Sequence, residues 1–172
     1  MNLIFFDLEG PLSPQDNAYE LMKLFPQGGS IFEVISRYDD LLALENREDY
    51  EPGDTLALIV PFLICHGVSE GDIARLAQRA TLVDGAAELI ASLSSSGWKV
   101  FCISTSYEQY ARHIAQRVGI SPENLACTRF PLDRYLSLAR KEDLALVEGI
   151  EHEIIKMKPG DDESMKMRFD RF

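Results

Sequence analysis

Residues Leu3-Ile4-Phe5-Phe6-Asp7-Leu8-Glu9-Gly10 constrain this chain more than any other stretch. Four apolar residues run straight into an acid, a spacer, a second acid and a glycine, with Pro11 next. Such a run predicts a buried strand, and Gly-Pro predicts the turn that closes it. Asp7 then stands at the C-terminal tip of the first strand, with Glu9 one step into the loop. Ligand sites of open α/β sheets gather outside the carboxyl ends of the strands. Two acids at such a tip point to a nucleophile or metal ligand beside a proton donor. The plainer alternative is that both simply cap a turn.

With 172 residues the chain can bury one substantial core, or one core and a satellite. Hydrophobic residues at 46% and charged residues at 26% are the balance of a globular protein. A net charge of −11 argues against binding nucleic acid or an anionic membrane, since both demand cationic surface. Cys65, Cys102 and Cys127 are too few and too unevenly spaced for a disulfide framework or a CxxC metal site. No segment reaches the roughly 18 apolar residues of a membrane helix, and no basic stretch precedes the first apolar run. A cytoplasmic, reduced protein is expected.

Along the chain, Ala18 to Phe25 reads as a helix stopped by Pro26 and Gly28-Gly29, and Ile31 to Leu44 has helical spacing. Pro52-Gly53 resets the chain, and Leu56 to Cys65 reads as a buried or interface helix. Ser69 with Asp72 opens a further helix. Residues 18–80 are therefore expected to form a helical cap. The α/β pattern resumes with a helix from Ala86, closed by Ser94 to Gly97, and a second buried strand over Trp98 to Ile103. Ser104-Thr105-Ser106 sits at the tip of that strand, a helix follows from Tyr107 to Val118, and Leu125 to Thr128 suggests a short third strand. Residues 134–147 look helical, and 158–172 show no clear strand.

The two strand tips share one chemistry. Small hydroxyls and the free amides of a helix start hold phosphoryl oxygens; a carboxylate opposite can attack phosphorus. A second acid can protonate the leaving alcohol and then deprotonate water. Ser104 and Thr105 equally fit as N-caps of the following helix. His66, His113 and His152 offer no metal-ligand spacing, and Arg37 and Arg47 are better read as a solvated face than as substrate contacts.

Phe5 to Leu12 resembles the first motif of the haloacid-dehalogenase (HAD) superfamily, and Val100 to Tyr107 resembles its second. The helical insertion between them is similar to the cap of the phosphoserine-phosphatase-like branch. More narrowly, residues 7–21 and 50–58 resemble a HAD-like group associated with subunit R of archaeal energy-converting hydrogenase A. The superfamily resemblance covers about residues 1–130. It implies an α/β, Rossmann-like core of residues 1–17 and 81–172 with a parallel sheet, and an inserted α-helical cap of residues 18–80. It also implies Asp7 as nucleophile and metal ligand, and Glu9 as general acid/base with its carbonyl on the metal. Ser104 and Thr105 would bind phosphate, Asp16 would sense a substrate amine, and Mg²⁺ would be the cofactor. The superfamily more often has Asp where Glu9 stands; Glu extends the reach by one methylene and remains an acid.

A complete member also needs a third-motif lysine, for which Lys141, Lys156 and Lys158 are available. The fourth motif would be Gly160-Asp161-Asp162, but Lys156 to Pro159 is poor strand material. The C-terminal part of the core is therefore expected to be missing. Two functions follow: a Mg²⁺-dependent phosphatase acting on a small phosphorylated metabolite, or a non-catalytic accessory protein acting through a protein partner or homodimer.

Overall fold

The computed structural model describes residues 2–45, 50–51, 54–158 and 160–169; Arg47 and Pro52-Gly53 lie outside the described residues. In chain order the elements are β1 (Asn2–Phe6), α1 (Asn17–Met22), α2 (Gly28–Leu44), α3 (Thr55–Cys65), α4 (Glu70–Arg79) and α5 (Ala86–Ser95). There follow β2 (Trp98–Tyr107), α6 (Glu108–Val118), a 3-10 turn at Pro122–Asn124, β3 (Leu125–Thr128), α7 (Leu132–Leu138), α8 (Lys141–Ile155) and α9 (Asp162–Phe169). They form two compact units, Met1–Asn17 with Glu70–Pro131, and Ala18–Ser69 with Leu132–Phe172.

The first unit is α/β. Its three strands lie in the order β1-β2-β3 and pair in parallel, with Phe5 opposite Phe101 and Phe6 opposite Cys102. Parallel neighbours need crossovers, and α5 and α6 supply them. On α6, Tyr110, Ala111, Ile114, Ala115 and Val118 recur at helical spacing and are all buried, while Arg112 pairs outward with Glu108 at 3.0 Å. Gly119 closes the helix in the left-handed region, at φ 84°. On α5, Ala86 and Ile90 make the buried stripe. α4 packs on α6 through Ile73 and Ala77. Its C-terminal carbonyls are satisfied by Arg117 of α6, whose guanidinium donates to Ala77 O at 3.1 Å and Ala80 O at 2.6 Å.

The strands are less buried than their apolar runs predict. Val100 and Cys102, on the side packed against α5 and α6, are buried, whereas Leu3, Phe5 and Ile103 are 42%, 56% and 55% exposed. Successive strand residues face opposite sides. Only one face of the sheet is therefore covered among the described residues.

The second unit is helical. Ile31, Val34, Ile35, Tyr38, Leu41 and Leu42 make the buried stripe of α2, and Ile59, Phe62 and Leu63 that of α3. Gly28 and Gly29 open α2 rather than closing α1, which ends at Met22. The reason is close approach: a Cβ on Gly28 would stand 1.9 Å from the Met22 carbonyl oxygen. α8 packs on α2 and α3, and α9 on α2. Arg37 is ion-paired rather than merely solvated: its Nε and Nη2 donate to Asp162 at 3.0 and 2.5 Å. Tyr38 stacks on Phe169 at 4.2 Å, and Lys166 bonds Glu45. His66 donates to or accepts from Glu151 at 2.8 Å and stacks on Phe25 at 4.0 Å. Residues 132–172, assigned from sequence to the α/β part, thus cluster with the helices, whereas α4 clusters with the sheet. α7, α8 and α9 each bury one side chain, Leu132, Ile154 and Met165, whereas α4 buries Ile73 and Ala77.

Ile114→Ala removes a fully buried side chain and is expected to cost about 2–4 kcal/mol. Leu138→Ala, at a 64% exposed site, should cost less than about 0.5 kcal/mol. Urea denaturation of both variants checks the contrast; equal midpoints would contradict the assigned core.

Candidate active site

The loop after β1 is built by backbone hydrogen bonds. Leu12 and Ser13 N–H groups both donate to Leu8 O, at 3.2 and 2.9 Å, and Gly10 N–H donates to Ser13 O at 2.8 Å. Gly10 has φ 91°, a region that a side chain would strain. Leu8 and Leu12 are buried and anchor the loop. The fully buried Ser13 hydroxyl lies 3.1 Å from Thr81 O, to which it donates, and 3.3 Å from the Tyr110 hydroxyl. A rigid turn therefore holds Glu9, one residue from its start.

Asp7 is exposed at the tip of β1, and the Leu8 N–H donates to its Oδ1 at 2.6 Å. Glu9 is half-buried and accepts a hydrogen bond from the Ser106 hydroxyl at 2.8 Å. Burial pushes the Glu9 carboxyl above its ordinary range. The Ser106 hydroxyl and the Asn17 backbone N–H oppose that rise, while the charges of Asp16 and Asp7 add to it. Glu9 therefore holds a proton more readily than an ordinary glutamate, the state a general acid needs.

β2 runs through Ser104-Thr105-Ser106 to Tyr107, with an irregular register against β3 between Ile103 and Tyr107. Irregular strands of this kind re-aim side chains beside ligand sites. Ser104 Oγ accepts from the Ser106 N–H at 3.0 Å. Ser104, Ser106 and Glu9 thus form a continuous chain of polar contacts. The structure does not join Thr105 to it: Thr105 is exposed, and its carbonyl accepts from Thr128 Oγ1 at 2.7 Å. Neither Ser104 nor Thr105 caps α6. The cap position is Tyr107, without a side-chain cap bond, because β2 extends past both hydroxyls. Asp16 is exposed and acts on Glu9 through its charge.

Two residues were missed from sequence. Ser106 is fully buried on Glu9; its signal was strand alternation, which puts it on the side of Ser104. Asn17 is fully buried, its backbone bonds Glu9, and neither side-chain amide atom has a protein partner. No sequence signal marked it. Cys102, raised to about 11 by burial and then by the nearby charges of Asp7 and Cys127, stays a thiol.

One carboxylate and one carbonyl suit a hard cation that keeps its waters. Among the described residues, however, no group of three His, Cys, Asp or Glu is arranged to hold a metal. Asp7 and Glu9 supply at most part of a Mg²⁺ site. The other candidates lie in the helical unit. Lys156 pairs with Glu153 at 2.7 Å, Asp162 opens α9 and pairs with Arg37, and Asp161 accepts from the Ser164 N–H at 3.3 Å. Lys141 opens α8, and Lys158 follows its end. No helix among the described residues is long and apolar enough to cross a membrane.

This arrangement is a HAD-like α/β fold, with a parallel sheet and its acid pair at the first strand tip. The chain is similar to the gene product AF1437 from Archaeoglobus fulgidus, with 33% identity and a TM-score of 0.85 over 99% of this chain and 53% of that one. It is similar in fold to a phospho-aspartyl intermediate analogue of phosphoserine phosphatase, with 21% identity and a TM-score of 0.56 over 74% of this chain and 56% of that one. The chain spans about half the length of each of these relatives. No protein-family model and no curated protein matches it.

A carboxyl whose folded pKa lies above its unfolded value loses stability as pH rises through that interval. Glu9→Gln keeps an acceptor for Ser106 but carries no charge. It should raise Tm at pH 7 by roughly 2–4 °C for each kcal/mol of burial penalty removed. The gain should vanish at about pH 3.5, below the carboxyl's unfolded pKa, where both states are protonated. Thermal melts at the two pH values check this; a Tm at pH 7 equal to or below wild type would refute it.

Proposed function

We propose that the chain carries the nucleophile and acid half of a phosphoryl-transfer site acting on a small phosphomonoester. The observation that carries this is the pairing of exposed Asp7 with half-buried Glu9, whose carboxyl burial raises above its ordinary range and which accepts a hydrogen bond from the Ser106 hydroxyl. One strand tip then offers an attacking carboxylate and a proton donor. An Asp7 carboxylate oxygen attacks phosphorus, the ester oxygen leaves and takes the Glu9 proton, and an aspartyl-phosphate remains. Glu9, now a carboxylate, accepts a proton from water as that water attacks phosphorus and releases Asp7. Ser104 and the N-terminal amides of α6 hold the phosphoryl oxygens. Asp16 favours a cationic group on the substrate. Asp7 and the Glu9 carbonyl would be the residues to hold Mg²⁺, which when bound would supply charge neutralisation between the attacking carboxylate and the anionic substrate. The fold shared with the phospho-aspartyl analogue of phosphoserine phosphatase supports the reading.

A non-catalytic accessory role is the second reading. It is favoured by the absence of a metal-holding group among the described residues, and by Lys156 and Asp162 being engaged within the helical unit.

Two measurements separate them. Release of phosphate from an aryl phosphate in millimolar Mg²⁺ is expected for wild type, abolished in Asp7→Asn and lowered about 10²–10⁴-fold in Glu9→Gln. Equal turnover by Asp7→Asn would remove Asp7 as nucleophile. A Mg²⁺-dependent rise in Tm is expected as well, because a ligand of the native state stabilises it. No shift together with no turnover would favour the accessory role.

A further inference from the structure

Ser13, Asn17 and Ser106 are fully buried, and all three gather around Glu9. Ser106 donates its hydroxyl to the Glu9 carboxyl, at 2.8 Å. Ser13 pairs with Glu9 in an isolated β-bridge, and its own hydroxyl bonds Thr81 O. Asn17 bonds the Glu9 carboxyl through its backbone N–H. Its side chain differs from the two serines: neither Oδ1 nor Nδ2 has a hydrogen-bond partner among the described residues. The serines are occupied in holding the loop and the acid. The Asn17 amide is not.

A buried donor or acceptor without a partner destabilises the fold that holds it, whereas an apolar group of similar shape does not. Native interiors pair nearly all such groups, and exceptions concentrate at sites of function. Here a donor and an acceptor are both unengaged, so whatever completes the amide must offer both. An ammonium group offers donors alone. A carboxylate offers acceptors alone, and would meet the charges of Asp7 and Asp16 that already act on Glu9. A phosphoryl group with a water beside it offers the matching pair: its oxygens accept, and the water donates. Asp7, the proposed carrier of that phosphoryl group, and Asn17 both act on the one Glu9 carboxyl.

Resting on the phosphoryl-transfer reading, we infer that Asn17 is a catalytic residue of the second step, orienting the water that attacks the aspartyl-phosphate. Because its own N–H is already on Glu9, turning the side chain brings the amide beside the same carboxyl, and such contacts tighten when the reacting groups are in place. Oδ1 accepts one hydrogen of the water, and Glu9 takes the other as a proton. The water oxygen then faces phosphorus with a lone pair. Once the phosphoryl group is on Asp7, Nδ2 donates to one of its oxygens. The bond from water oxygen to phosphorus forms as the bond from phosphorus to Asp7 breaks. The departing electron pair returns to the Asp7 carboxylate, and the remaining water hydrogen leaves on the phosphate. No water takes part in the first step, which therefore does not use Asn17.

The test follows an aryl phosphate through both steps in the full 172-residue chain, in millimolar Mg²⁺. In Asn17→Leu a burst of aryl alcohol should precede phosphate release slower than wild type by about tenfold or more. Hydroxylamine-labile phosphoryl-protein should accumulate, and Tm should lie at or above wild type. Asn17→Ala, too small to clash, should show the same kinetic split and carries the test if the leucine variant does not fold. Slower release without accumulated phosphoryl-protein would place Asn17 in the first step and overturn the inference. Unchanged release in both variants would remove it from the reaction. Absence of turnover and of phosphoryl-protein in wild type and variants alike would fail the phosphoryl-transfer reading, and this inference with it. Wild-type turnover without accumulation in the Asn17 variants would fail this inference alone.

Discussion

The parallel pairing of β1 on β2 is the constraint on which the site depends. With Phe6 opposite Cys102, the first strand ends where Ser104 begins, so two distant parts of the sequence meet at one tip. Slip that register by one residue and every side chain changes face. Glu9 would then lose Ser106, and Asp7 would point elsewhere. The buried leucines at 8 and 12 and the Ser13 hydroxyl fix the loop side of the same junction. The acid pair is thus held by main-chain geometry more than by ion pairs, which suits groups that must change charge.

Much of the α/β unit was legible in sequence because its signals are local. Gly97 and Gly119 mark where a helix stops and a strand or loop begins, and both adopt positive φ. Asp7 and Glu9 stand where an apolar run followed by Gly-Pro puts them. What stayed hidden depends on contacts between distant residues. Ser106 was passed over in favour of Thr105 because one strand residue more or less decides which hydroxyl points at Glu9. Gly28 was read as a stop because a close approach to Met22 O leaves no mark in sequence. The allegiance of α7 to α9 was illegible for the same reason: each buries a single side chain, too little pattern to declare a partner.

The helical unit also settles the Gly160-Asp161-Asp162 triplet. It is a turn into α9, and Asp162 spends its charge on Arg37. A tripeptide matches a motif cheaply; the preceding strand is the costly part, and Lys156 to Lys158 do not form one among the described residues.

Cys102 has a use that its chemistry does not advertise. Its thiol is fully buried in the central strand and keeps its proton to about pH 11, so the folded molecule offers alkylating reagents almost no thiolate. Modification at this position must wait for β2 to separate from its neighbours. The rate at which Cys102 takes up a label is therefore a clock for opening of the sheet, built into the chain without engineering. Cys65 and Cys127, both partly accessible, react on their own schedule and provide the internal comparison.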